Sequence, residues 1–230
     1  MAVVVDQAPS LIFAAANGSN QKTLTTLTAL SVGDVVICCV ANWENRGFNS
    51  ATVGGQAMTQ ASLLNGSYAD QAVYFRVITG DETGQDVVVT LSGADGNSAP
   101  IGVIVATGLA SDQGTFSASR QISTAFASGA SHTIGPVTPG AADNLIVGFC
   151  GDAGNRTWSD DAGWTKVTGS TVRYEMIYDI QTAADARSWT YTPDSDGAAN
   201  LSIVAFNGES AGGGTLVKDI IGMGFLASPR

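Results

Sequence analysis

The stretch Gly33–Trp43, GDVVICCVANW, decides how the rest of the chain is read. From Val35 to Ala41 it is continuously apolar and largely β-branched, and it is bounded by Gly33-Asp34 and Asn42. Such a run is short for a buried helix and has the composition of a strand covered on both faces. Successive side chains of a strand point to opposite faces, so the adjacent Cys38 and Cys39 are badly placed to bridge each other.

The pattern returns in the second half of the chain as Ala141–Asp152, AADNLIVGFCGD. Val35-Val36-Ile37 match Leu145-Ile146-Val147, Gly148-Phe149 match the cysteine pair, and Cys150 matches Val40. Positions that take Cys, Gly, Phe and Val interchangeably are packing positions, where a thiol serves as a small hydrophobe. A bridge from one of the pair to Cys150 is the alternative, and with three cysteines one stays unpaired in any case.

The match extends outward. SVGDVVICCVAN, ATVGGQAMTQAS, DQAVYFRVITG, GQDVVVTLSG and APIGVIVATGLA are followed in the same order by AADNLIVGFCGD, SDDAGWTKVTGS, RYEMIYDIQTA, ARSWTYTPDSDG and ANLSIVAFNGE. Gly55 matches Gly163, Phe75 matches Tyr178, Val103-Ile104 match Ile203-Val204, and Gly108 matches Gly208. A fixed order at nearly fixed spacing is the signature of a duplicated domain. Each block consists of short β-branched and aromatic runs separated by Gly, Asn, Asp and Ser clusters, which is the rhythm of sandwiches and barrels. With the strand material ahead of each block, this gives two tandem jelly-roll-like β-sandwiches of seven or eight strands each, at residues 1–111 and 112–210. A Gly-linked, apolar C-terminal tail follows at 211–230.

Composition agrees with an all-β chain. Of 230 residues 28 are glycine, 44 % are hydrophobic and only 13 % are charged. The net charge of −10 and a pI near 4.2 disfavour a phosphate backbone or an anionic membrane face as partner. The start, MAVVVDQAPSLIFAAANGS, lacks the basic region of a signal peptide, and no run reaches the length of a membrane span. The expectation is synthesis in a cytoplasm, where thiols stay reduced.

Catalytic residue types are sparse. His132 is the single histidine, with no metal-ligand cluster and no nucleophile elbow around it. Asp81-Glu82, Asp160-Asp161 and Asp194/Asp196 fall in turn-like sequence, where Asp is a usual former. Asp194 and Asp196, in DSDG, also resemble the start of a calcium loop that lacks its distal Glu. No cofactor is expected, and the chain is read as not an enzyme.

Two loops suggest binding. ANWENRGFNS carries Trp43, Asn45 and Arg46, and GDAGNRTWSDD carries Asn155, Arg156 and Trp158, each following the opening strand of its copy. An aromatic beside Arg and Asn in a loop suits glycan recognition, and equally suits capping the open end of a sandwich. The tail presents Leu216, Ile220, Ile221, Phe225 and Leu226 after Gly212-Gly213-Gly214. It reads either as a last element docked on its own chain or as an arm on a neighbouring subunit.

Taken together, GD-VV, GG or AGW-T-V, YF-V or IYDI-T, V-V-TLSG and VIVATGL or IVAFNG resemble the two-copy β-sandwich proteins found among virion genes of tailed bacteriophages and prophages. The resemblance covers roughly residues 30–210. It implies a virion structural protein made in the host cytoplasm, most simply a capsid decoration or cement protein. Its implied partners are the major capsid protein or other virion proteins, reached as a homo-oligomer. The alternative it implies is a tail, fibre or baseplate module that binds host surface glycans.

Overall fold

The computed structural model describes residues 2–14, 19–42, 46–66, 69–83, 85–94, 99–114, 116–152, 157–167 and 174–209. These contain no helix. The strands of the first half are β1 (Val4–Ala14), β2 (Gln21–Leu27), β3 (Val35–Asn42), β4 (Phe48–Val53), β5 (Gln56–Ala57), β6 (Thr59–Asn65), β7 (Asp70–Val77), β8 (Gln85–Leu91) and β9 (Ala99–Thr107). Those of the second half are β10 (Ser117–Phe126), β11 (His132–Val137), β12 (Asn144–Asp152), β13 (Trp158–Asp160), β14 (Thr165–Lys166), β15 (Tyr174–Gln181), β16 (Arg187–Pro193) and β17 (Gly197–Phe206).

Among the described residues all strand pairs are antiparallel, in four sheets: β1-β9-β3-β7-β6, β2-β8-β4-β5, β10-β17-β12-β15-β14 and β11-β16-β13. The third order repeats the first strand for strand, and the fourth repeats the second without a counterpart of β5. Turn chemistry sets some of these pairings. Val53 and Gln56 face each other across Gly54-Gly55, both at positive φ (58° and 74°), which is the two-residue turn whose twist suits a hairpin. After Met58 the same segment leaves β4 and joins β7, so it runs from one sheet to the other.

The burial of β3 is explained by two separate cores. Val36, Cys38 and Val40 pack against Leu24 of β2, Val53 of β4, and Val87, Val89 and Leu91 of β8. Their neighbours Val35, Ile37, Cys39 and Ala41 point the other way, into a cluster with Leu145, Val147 and Phe149 of β12 and Val204 and Phe206 of β17. On β12, Ile146 and Cys150 face a third cluster with Trp158, Trp189 and Tyr191. The two five-stranded sheets are therefore the inner layers of a four-layer stack and meet along an apolar seam. Gly148 stands where Cys38 does, and a Cβ there would come within 2.8 Å of Ile177.

The seam holds two further features. Phe75, Phe116 and Phe206 form an edge-on triad with centroids 4.9–5.9 Å apart. The segments that follow β9 and β17 pair antiparallel through Leu109 and Gly208. There the Ala110 amide donates to Asn207 O and the Glu209 amide to Gly108 O, both at 2.9 Å. Corresponding segments of the two halves thus lie against each other.

Candidate functional site

The seam ends in a cluster of loop roots. A Cβ built on Gly151 of β12 would lie 3.7 Å from Cβ of Ala41 on β3, so the chain leaves both strands side by side. Buried polar groups lock this end. Gln71 Nε2 donates to Asn200 O at 2.8 Å, Ser202 Oγ donates to Gln71 Oε1 at 3.3 Å, and Asn200 Nδ2 donates to Ala69 O. Gln71 and Asn200 are fully buried, and each comes from a different half. Buried polar groups satisfied across an interface fix its register, because any slip leaves them unpaired.

The two Asn-Arg loops named in the sequence depart from these roots. Trp43, Asn45, Asn155 and Arg156 lie outside the described residues. Arg46 is exposed, and Asn42 Nδ2 donates to its carbonyl at 3.3 Å. Trp158 requires a correction. It is the first residue of β13 rather than a loop residue, and it is 7 % exposed, with its ring 5.3 Å from that of Tyr191. Its indole is part of the second half's core, so it offers no stacking surface. The tail residues Leu216, Ile220, Ile221, Phe225 and Leu226 also lie outside the described residues.

The carboxylates are occupied by the fold. Asp160 accepts the Trp189 indole N–H at 2.9 Å and faces Lys166 Nζ at 3.2 Å. Lys166 also meets Glu175 at 2.5 Å, which ties β13 to β14 and β15. Burial lifts the Glu175 carboxyl to about 7 against the opposing pull of Lys166. Asp161 accepts Trp164 Nε1 at 3.1 Å and the Thr190 amide at 2.8 Å, and it pairs with Arg187 at 3.2 Å. Arg187 also pairs with Asp179 at 3.0 Å and lies over the Trp164 ring. Glu82 holds Arg76, and Asp81 accepts the Val32 amide at 3.2 Å. None of these acids lines the open cleft of about 480 Å³ at the seam, whose walls include Thr59, Phe75, Arg76, Asp112, Gln113 and Phe116.

Asp194 and Asp196 sit between β16 and β17. Asp196 accepts the Ser128 amide at 2.5 Å, and the Asp194 carbonyl accepts Ser128 Oγ at 2.7 Å. A hydrogen bond from the Thr157 backbone leads the causes that lower the Asp194 carboxyl. Both residues thus staple the loop ahead of β11 to the β16–β17 turn. Among the described residues no three His, Cys, Asp or Glu side chains gather as a metal set. His132 opens β11 between the rings of Phe126 and Tyr191, with centroids at 4.3 and 5.6 Å. Cys38, Cys39 and Cys150 each face a different core cluster, so no two of them share a space in which to bridge.

Comparison with protein-family models, with curated proteins and with solved structures finds no match to this chain.

Proposed function

We infer that the chain is a structural protein of a tailed-phage virion, built from two jelly-roll-like sandwiches that arose by duplication, and that it decorates or cements a capsid through protein–protein contacts. The observation that carries the reading is the repeated sheet order. With β5 and β6 counted as one strand, the first half runs 1-8-3-6-5 and 2-7-4-5, and the second half runs 1-8-3-6-5 and 2-7-4, its fifth strand lying in one sheet only; this shared order supports a jelly-roll reading of each half. The sequence blocks that resemble two-copy virion proteins fall on these same strands. In this reading the partner is the major capsid protein or another virion protein, and the apolar residues Leu216, Ile220, Ile221, Phe225 and Leu226 form an arm that reaches it. Co-sedimentation with particles that lack the protein tests this. Full-length protein is expected to saturate the particles, and protein ending at Gly214 is expected to stay in the supernatant while keeping its unfolding transition. Absence of binding by the full-length chain to any particle form defeats the reading.

A second reading, a glycan-binding module of a tail or baseplate, is favoured by one observation: the roots of the Trp43-Asn45-Arg46 and Asn155-Arg156 loops meet at one end of the seam. With Trp158 in the core, Trp43 is the aromatic left to stack on a sugar. A glycan array with the native chain and Trp43→Ala decides it, and no glycan signal from the native chain removes it.

A further inference from the structure

The two halves share their strand register, so they can be compared position by position. Asp160 stands opposite Tyr191 as Ala51 stands opposite Val89. Lys166 pairs with Ile177 as Gln60 pairs with Tyr74, and Glu175 with Cys150 as Ala72 with Val40. The same sheet positions thus hold Ala51, Gln60 and Ala72 in the first half and Asp160, Lys166 and Glu175 in the second. The fold does not require these charges, because the first half builds the same strand order around two buried alanines. In the second half the side chains of Glu175 and Asp160 are only 3 % and 9 % exposed. Taking two carboxylates out of water is costly, and pairing with a cation often fails to repay it.

The geometry of the three suggests what they do. Lys166 Nζ lies 3.2 Å from Asp160 Oδ2 and 2.5 Å from Glu175 Oε1. The Glu175 carboxyl is in hydrogen-bond contact with Asp160 as well. The other oxygen of Asp160, Oδ1, accepts the indole N–H of the buried Trp189 at 2.9 Å. An amine held against a carboxyl is one part of an amide-forming site. A donor on the oxygen that would carry negative charge is the second. A further carboxyl touching both reactants, able to carry protons between them, is the third.

We propose that Lys166 and Asp160 condense to a side-chain amide within the folded chain, with Glu175 as the proton carrier. Glu175 takes one proton from the Lys166 ammonium and passes it to Asp160 Oδ2. The freed nitrogen lone pair forms the Nζ–Cγ bond, and the Cγ–Oδ1 π pair moves onto Oδ1, where the Trp189 N–H meets the charge. A second proton then travels from Nζ through Glu175 to Oδ2. The Cγ–Oδ2 bond breaks, Oδ2 leaves as water, and the Cγ–Oδ1 double bond re-forms. Two protons leave the nitrogen and both depart in the water. Glu175 is regenerated, and nothing is oxidised or reduced. Burial, the largest influence on Glu175, brings its carboxyl up to about 7, so it holds a transferred proton better than an ordinary carboxylate. Lys166 is half-exposed, which gives the water an exit. Asp160 belongs to β13 in the outer sheet and Lys166 to β14 in the inner one, so the bond fastens one layer of the second half to the other. This chemistry does not depend on the virion reading, so either can fail alone.

Peptide mass spectrometry of the purified full chain tests it. Trypsin is expected to leave the chain uncut after Lys166. The resulting peptide Thr157–Arg173 is expected to be lighter than its sequence by one water and to give no fragment ions from breaks between Asp160 and Lys166. A cyclic imide formed by an aspartate also loses one water, but it leaves cutting after Lys166 and those fragment ions intact. Lys166→Arg and Glu175→Gln are each expected to restore the full sequence mass of this region while keeping a cooperative thermal transition. Full mass and normal cutting after Lys166 in the native chain overturn the proposal, whether or not the variants fold. An amide that maps to Glu175 in place of Asp160, or one that persists at full occupancy in Glu175→Gln, overturns it too.

Discussion

Single side chains already separate packing from chemistry. Desolvation pushes the Cys38 thiol up to about 12 and Cys39 well above the normal range. Both are therefore held as inaccessible thiols rather than thiolates. Iodoacetamide at pH 8 is expected to leave the native protein unmodified and to add three groups in denaturant, as intact mass would record. In sequence Trp158 reads as a loop residue because Asn, Arg, Thr, Ser and Asp surround it, and a three-residue strand is too short to show alternation. Buried against Tyr191, it makes a strong prediction: Trp158→Ala should cost about 3–5 kcal/mol in urea unfolding, and Trp158→Phe clearly less. Glu175 provides a pH signature. A group raised above its unfolded value lends stability that is complete below that value and is lost as the pH climbs through the folded one. Stability should therefore fall as the pH rises from about 4.5 to beyond about 7, by up to roughly 3 kcal/mol. Glu175→Gln should flatten that slope, as urea midpoints at pH 5 and pH 8 would show. The partners Lys166 and Glu175 are unreadable in sequence because they reach Asp160 from separate strands.

Strands and turns are the most readable level. The apolar run of β3 and its echo in β12 announce central strands, and the matched positions fall as the two sequence blocks align. Val36 and Ile146 face the outer sheets, while Val35 and Leu145 face the seam. What covers the second face is not legible in the sequence, because a contact between halves leaves no local periodicity. Turn residues are readable where conformation demands them. Gly55 sits at φ 74°, and a Cβ there would meet nothing within 4 Å, so its requirement is conformational alone. Gly55→Ala is expected to cost about 1–2 kcal/mol, and Gly55→Asn less, by equilibrium denaturation.

The molecule as a whole is one body because its inner sheets share a core. Cutting the connection should therefore separate the chain without separating the halves. Ser111, Asp112 and Gly114 are exposed, so a protease site inserted after Gly114 is accessible. The nicked protein is expected to elute from a sizing column at the intact volume, and two smaller species would show the seam to be weak. The seam also sets an order on synthesis. The described strands of the first half are complete once Thr107 has been made, but the partner face on β12 and β17 is complete only at Phe206, about a hundred residues later. At about 5–20 residues per second, roughly 5–20 s of translation pass before the side chains that cover Val35, Ile37, Phe75 and Ile104 in the finished chain have all been made. Neighbouring ribosomes on one message present that same surface to each other, so the nascent chain faces its greatest risk of mispairing with its own kind, and low initiation rates or a bound chaperone should raise its yield.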